Sequence, residues 1–239
     1  MCAIIFLMPA ASIRARVRAE MTDEIKTVAR RHLAAEGANL SLRAVARDMG
    51  MVSSALYRYF ASRDDLLTAL IIDGYNDLGR AVETADAAVP DRTRLRLRWL
   101  SAARAVRAWA LANPAEYALL YGSPVPGYAA PQDTIAAAAR TPVVLAQILT
   151  DGYTAGALTE PRIQPSAPLP GPVRADLTRA RDQIAAGLPE ELLQAGLTSW
   201  LQLFGVVSFE LFGQLNNVID ARAEFFDHQM EQMADLMGI

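Results

Sequence analysis

Ser53, Ser54 and Ala55 are three consecutive small residues at the head of a segment that continues Leu56-Tyr57-Arg58-Tyr59-Phe60. Small and hydroxylic side chains let a helix approach base edges closely, and the phenols of Tyr57 and Tyr59 are long enough to reach phosphate oxygens. This chemistry suits reading a DNA duplex. The same spacing also fits a plain three-helix bundle that touches no nucleic acid. In both cases Leu56 and Phe60, one helical turn apart, belong to the small core that holds the segment in place.

Other chemistry has little to work with. The two histidines, His32 and His228, stand 196 positions apart, and the single cysteine is Cys2. There is no Gly-x-Ser-x-Gly elbow, no phosphate-cradling glycine loop and no His/Cys/carboxylate cluster at metal-ligand spacing. Catalysis, a bound metal and a cofactor are therefore not expected, and one cysteine excludes a disulfide framework.

The elements that must position these residues read as helices throughout. No stretch alternates with the period of a strand, so the fold class is all-α. A first helix is expected over about Ser12–Glu36, with Val17, Met21, Ile25, Val28 and Leu33 along one face and Gly37 as its stop. Ser41 can cap a short helix over Leu42–Met49 that ends at Gly50 and turns into a third helix over about Ser53–Tyr59. Ser62 followed by Asp65 has the spacing of a capping-box variant and opens a fourth helix that carries Leu66, Leu67, Leu70, Ile71, Leu78 and Val82. Capped helix, glycine turn and second helix, from Ser41 to Phe60, form a helix-turn-helix unit: the second helix is slim enough for a major groove while the first crosses the phosphates.

Beyond Pro90, a stripe at Leu95, Trp99, Ala102, Val106 and Trp109 marks a helix that stops at Asn113-Pro114. Pro114 suits the first turn of a short helix through Tyr121, and residues 122–127 read as a loop. A helix over Gln132–Gly156 would be kinked or broken at Pro142. Five prolines in residues 157–172 mark an irregular connection. Helices then follow over about Val173–Ala186, from Pro189 to Leu215, and from Asn217 to Met237.

Of 239 residues, 52% are hydrophobic and 21% charged, which places the chain with ordinary soluble globular proteins and excludes disordered and collagen-like classes. The net charge of −3 hides an asymmetry: residues 1–65 hold ten Lys/Arg against seven Asp/Glu, while the remainder is acidic. A mildly basic head on an acidic body places any polyanion at the N-terminal end. The apolar run Cys2–Met8 is seven residues long with no basic residue before it. It is too short for a membrane span and lacks a signal-peptide n-region, so residues 1–12 read as a loose N-terminal arm or start-site extension. No later stretch reaches 18 apolar residues without a charge, and the expected location is the cytoplasm, away from any membrane.

The run from Ser41 to Leu67, with Leu56-Tyr57-Arg58-Tyr59-Phe60 followed by Ser62-Arg63-Asp64-Asp65-Leu66-Leu67, resembles the signature of tetracycline-repressor-type (TetR/AcrR) transcriptional regulators. The likeness covers Ile25 to Ile71. It implies a helix-turn-helix DNA-binding domain over 13–62 and a larger helical effector-binding and dimerisation domain over 63–239. By position it implies that Arg43 contacts a base or phosphate, that Ser41 caps its helix beside the DNA backbone, and that Ser53, Ser54 and Ala55 form the base-reading face. Tyr57, Tyr59 and Arg63 fall on phosphate-clamping positions, and Arg47 either reaches a phosphate or lies in solvent. Val52 departs from the usual Ser or Thr, and Tyr59 from the usual His.

In the body, Trp200-Leu-Gln-Leu-Phe-Gly205 and Tyr117-Ala-Leu-Leu-Tyr-Gly122 are similar to one C-terminal subclass of that family, with Phe204 in place of its His. The resemblance implies that the last two helices pair across a dyad, with Trp200, Gly205 and Phe212 at the interface. Phe226, Met230, Met233 and Met237 form an apolar stripe on the last helix that either a second subunit or the chain's own core must bury. Trp109, Tyr117 and Tyr121 are candidates to line an effector cavity, against the alternative that they are core. Together these expectations describe a homodimeric repressor that binds a pseudo-palindromic double-stranded operator and is released by a small apolar or amphipathic effector. The competing expectation is a helical ligand-binding or scaffold protein without operator binding.

Overall fold

The computed structural model describes residues 10–37, 40–159 and 169–239. Among them there is no strand, and the regular elements are helices: α1 (Ala10–Glu36), α2 (Leu42–Asp48), α3 (Ser53–Leu56), α4 (Arg63–Ala87), α5 (Leu95–Ala112), α6 (Pro114–Tyr121), α7 (Ile135–Ala138), α8 (Arg140–Thr154), α9 (Gly171–Ile184), α10 (Glu190–Leu211) and α11 (Arg222–Met237). The expected arm over 1–9 and the prolines at 161, 165 and 168 lie outside the described residues.

Two apolar cores organise the chain. Ile25, Val28 and Ala29 of α1, Val45 and Ala46 of α2, Leu56 of α3, and Leu66, Leu67 and Leu70 of α4 form the first. The second collects Leu78 and Val82 of α4 with Trp99, Val106, Tyr117, Ile148, Leu203, Phe226 and Met230. Helix α4 thus feeds both cores, its first two turns packing in the head and its later turns in the body. Fully burying one such Leu, Ile or Val contributes roughly 1.5–3 kcal/mol, so α4 ties head to body by several apolar contacts at each end.

A buried cation fixes the helices around α4. Arg98 on α5 is wholly buried. Its Nε donates to Asp86 Oδ1 at 2.8 Å and its Nη1 to Asp151 Oδ2 at 2.7 Å, joining the ends of α4, α5 and α8. Arg92 also donates to Asp86. Burial pushes the Asp86 carboxyl up, but the hydrogen bonds from Arg98 and Arg92 outweigh it and hold the group below the usual carboxylate range.

Several element ends differ from those expected, each for a local reason. Regular α-helix in α3 ends at Leu56, and residues 57–59 continue as tighter turns, with Arg58 N–H bonded to Ala55 O and Tyr59 N–H to Leu56 O. The expected helix over 132–156 is a 3₁₀ turn (Gln132–Thr134) followed by α7 and α8, and it breaks at Ala139. Pro142 causes no break because it sits in the first turn of α8, where a missing N–H costs nothing. Helix α1 starts at Ala10, so residues 10–12 are helical and not part of an arm. Helix α10 stops at Leu211, before Gly213 at φ +81° and Asn217 at φ +61° turn the chain, which delays α11 to Arg222.

Among the described residues, α10 alone is long and apolar enough to cross a membrane by length and composition. It lies against α5, α8 and α11 and buries Leu203, Phe204, Val206 and Val207 in the body.

Candidate nucleic-acid interface

The helix-turn-helix is built from local capping and one left-handed residue. Ser41 Oγ accepts from Ala44 N–H at 3.4 Å at the start of α2. Gly50 turns the chain at φ +65°, a conformation in which a Cβ is strained even in open space. Val52 at the start of α3 supplies no side-chain cap, and its carbonyl accepts from Ala55 N–H at 2.9 Å. At the far end, Ser62 Oγ accepts from Asp65 N–H at 3.1 Å and starts α4.

The two expected contact sets are both brought to the surface of this unit, with unequal freedom. Ser41, Arg43, Ser54 and Tyr57 are exposed, while Ser53, Ala55 and Tyr59 are half-buried. Leu56 and Phe60 are in the head core. Tyr59 lies beneath the guanidinium of Arg18, 5.1 Å from the ring centroid, and Arg18 Nη2 also donates to Arg58 O at 2.9 Å. Arg63 is half-buried, and its Nε donates to Leu40 O at 3.1 Å, bracing the chain that enters α2.

Two cations on this side were not singled out from the motif. Arg18, on the exposed N-terminal half of α1, lies over Tyr59, and the exposed Arg58 falls between Tyr57 and Tyr59 in the chain. Their signal in the sequence was the cluster Arg14, Arg16, Arg18, which counted toward the basic charge of the head but was assigned no contact.

The head is joined to the body by α6 as well as by α4. Asp73 of α4 takes Arg30 Nη2 at 2.7 Å and Lys26 Nζ at 2.9 Å from α1, and Arg30 Nε also stands 4.0 Å from Glu116 on α6. His32 Nε2 and Asp48 Oδ2, 2.7 Å apart, tie α1 to α2. The head is therefore packed as one unit, and α6 touches it through α1.

The model described as bacterial regulatory proteins, tetR family, matches residues 25–70, and the one described as tetracyclin repressor-like, C-terminal domain, matches residues 99–233. Over 207 residues the chain is 42% identical to the HTH-type transcriptional regulators Rv1816 of Mycobacterium tuberculosis and Mb1846 of Mycobacterium bovis, covering 84% of this chain and 85% of each relative. The chain belongs to the TetR family. The solved structure of the regulatory protein SCO4313 matches with a TM-score of 0.73 at 34% identity, over 95% of this chain and 98% of that one. A tetR-family regulatory protein from Rhodococcus RHA1 shares the fold at a TM-score of 0.60 and 18% identity, over 91% and 96% of the two chains. As a TetR-family transcriptional regulator, the chain carries its helix-turn-helix as a DNA-binding domain.

The TetR-type body rearranges the expected effector and dimer residues. Tyr117 is wholly buried, with its hydroxyl 3.2 Å from Phe204 O and 2.9 Å from Ser208 Oγ, so it is core and not cavity wall. Trp109 packs against the body core and lines none of the described cavities. Tyr121 does line a cleft of about 660 Å³ between the end of α1, α6 and the end of α10.

Phe226 and Met230, expected at a dimer interface, are 1% exposed inside their own subunit, and Met237 is buried with them. Met230 O accepts the Trp99 indole N–H at 2.8 Å, which shows how fully that face of α11 turns inward. Met233 is half-buried against the same core, and Trp200 lines a body cavity. The apolar face left outside runs along α10 instead: Leu197, Leu201, Phe209 and Phe212, with Gly205 at its centre. Leu201 is 57% and Phe209 56% exposed. A Cβ at Gly205 would meet nothing in this subunit. The roll of α10 that presents this face is fixed by a two-pronged ion pair from Arg107 on α5 to buried Glu210, at 2.7 and 2.6 Å.

Proposed function

We propose that this TetR-family regulator works as a homodimeric repressor whose grip on a pseudo-palindromic operator is released by a small apolar or amphipathic effector bound in its helical body. Residues 13–62, with the first turns of α4, act as the DNA-reading head, and the remainder serves as the effector-binding and dimerising body. Ser53, Ser54 and Ala55 face the bases, and Arg43, Tyr57 and Tyr59 hold phosphates, joined by Arg18 and Arg58. Ser41 and Arg63 act chiefly by fixing the entry to α2.

The observation that carries the reading is the apolar stripe on α10. Four large apolar side chains left in water along one helix are costly, and two copies packed across a dyad would bury them, with Gly205 letting the backbones come close. A dyad there pairs two heads, and two heads require two half-sites a whole number of helical turns apart. The effector acts by binding more tightly to the arrangement of heads that fits the operator poorly.

Leu201→Glu tests this directly. The glutamate stays solvated in a monomer and would be desolvated in the dimer. Sedimentation equilibrium is expected to shift the variant to a monomer with unchanged helical content, and gel shifts with DNA from the gene's upstream region to lose the cooperative complex. A variant that remains dimeric and binds the operator normally would refute the interface. A wild-type chain that binds no DNA at low salt would favour a ligand-binding scaffold.

A further inference from the structure

The body holds a second cavity, of about 280 Å³, walled by α8, α9, α10 and the ends of α5 and α11. None of its lining side chains carries a charge or a hydroxyl, and the only lining side chains with an N–H are those of Trp99 and Trp200. They differ in one respect. The Trp99 N–H is used, donating to Met230 O at 2.8 Å, whereas Trp200 Nε1 is buried with no hydrogen-bond partner. A buried donor without an acceptor is costly in a folded protein and signals a missing partner.

The wall on the other side is unusual too. Helix α9 fully buries none of its residues, yet it sends Leu177, Ala180 and Ile184, spaced along one face, to this cavity. Leu177 and Ala180 are half-buried there and Ile184 is exposed. Filling the cavity would therefore give α9 a core to lie on as well as give Trp200 an acceptor.

We propose that this cavity is the effector site, and that it takes an uncharged, predominantly apolar molecule with a single acceptor oxygen, a ketone, aldehyde or ester, placed to receive the Trp200 N–H. The proposal rests on the reading of the body as effector-binding. Charged ligands are excluded by chemistry: no cation lines the site to offset the desolvation of a carboxylate or phosphate. The size is set by volume. A dry apolar cavity of about 150 Å³ holds benzene, so roughly twice that space suits an aryl or alkyl compound somewhat larger than one ring.

The test uses the full-length protein and two probes of equal shape, benzylacetone and isopentylbenzene, which differ by a carbonyl oxygen in place of a methyl group. Calorimetric titration of the wild type and of Trp200→Phe is expected to show the wild type holding the ketone about tenfold more tightly than the variant does, the scale of one buried hydrogen bond. The hydrocarbon's affinity should stay within about twofold in that variant, because a ring remains and only the donor goes. Ala180→Trp, which fills the cavity from a helix that fully buries none of its own residues, should abolish binding of both probes. A ketone affinity unchanged by Trp200→Phe, an equal loss for both probes in that variant, no binding of either probe, or binding that survives Ala180→Trp would each overturn the proposal. Operator binding in saturating benzylacetone separates the two readings: ketone binding that obeys the variants but leaves DNA affinity unchanged keeps the site and removes its role as effector site.

Discussion

At the scale of single residues, the head divides its labour by chemistry. Ser54 is exposed and short, so whatever it touches is read by one hydroxyl at close range. Arg43 is exposed and charged, and a phosphate neutralised by it releases a counterion whatever the base sequence. The two substitutions should therefore fail differently. Ser54→Ala is expected to change the ranking of operator variants by about 1 kcal/mol while leaving the salt dependence alone. Arg43→Gln should weaken binding to all variants alike and lower the slope of log affinity against log salt by about one. Fluorescence anisotropy over a salt series checks both, and identical losses for the two variants on every sequence would remove the distinction. Tyr59 and Arg63 were legible as members of the motif, but their engagement with Arg18 and Leu40 was not. Pairings across 41 and 23 positions depend on how α1 and α4 pack, and no local spacing encodes that.

At the scale of elements, what the sequence made legible was whatever is fixed by neighbours in the chain. Gly37, Gly50, Ser41, Ser62, Pro114 and the Leu95–Trp109 stripe placed seven helix ends within a few residues, because caps and breakers act locally. The direction of a stripe is another matter. Phe226, Met230 and Met237 repeat at helical spacing, and periodicity says only that one face is apolar, not whether it meets its own core or a partner. The Arg107–Glu210 pair and the Trp99 indole settle the rolls of α10 and α11, and both are contacts between distant elements. Gly50 tests the local kind of claim. Its φ of +65° in open space means that Gly50→Ala meets no clash and pays only backbone strain, of about 1–2 kcal/mol. Thermal unfolding should drop by a few degrees and operator affinity should fall, while ligand binding by the body stays as it was. An unchanged midpoint would mean that the turn relaxes to accept a side chain.

At the scale of the whole molecule, one helix and one buried charge hold the parts in register. Helix α4 spans both cores, so any change in the body that tilts it also tilts the head. The far end of α4 is fastened by Asp86, which meets Arg98 where that guanidinium is wholly buried. An Asp whose folded pKa lies below its unfolded value contributes stability above the unfolded value, and that contribution disappears as pH falls through the folded one. The wild type should thus lose stability progressively below about pH 4, where free aspartates protonate. Asp86→Asn removes the charge and leaves Arg98 with Asp151 as its remaining carboxylate, a break in a buried pair expected to cost about 3 kcal/mol at pH 7. The variant's deficit should then shrink as the wild-type carboxylate is itself protonated. Urea unfolding at pH 7, 5 and 3 follows this difference: a gap that narrows with acid locates the stabilisation in the ionised Asp86, and a gap that stays constant to pH 3 would mean that shape and packing at this corner, and not its charge, lock α4 to the body.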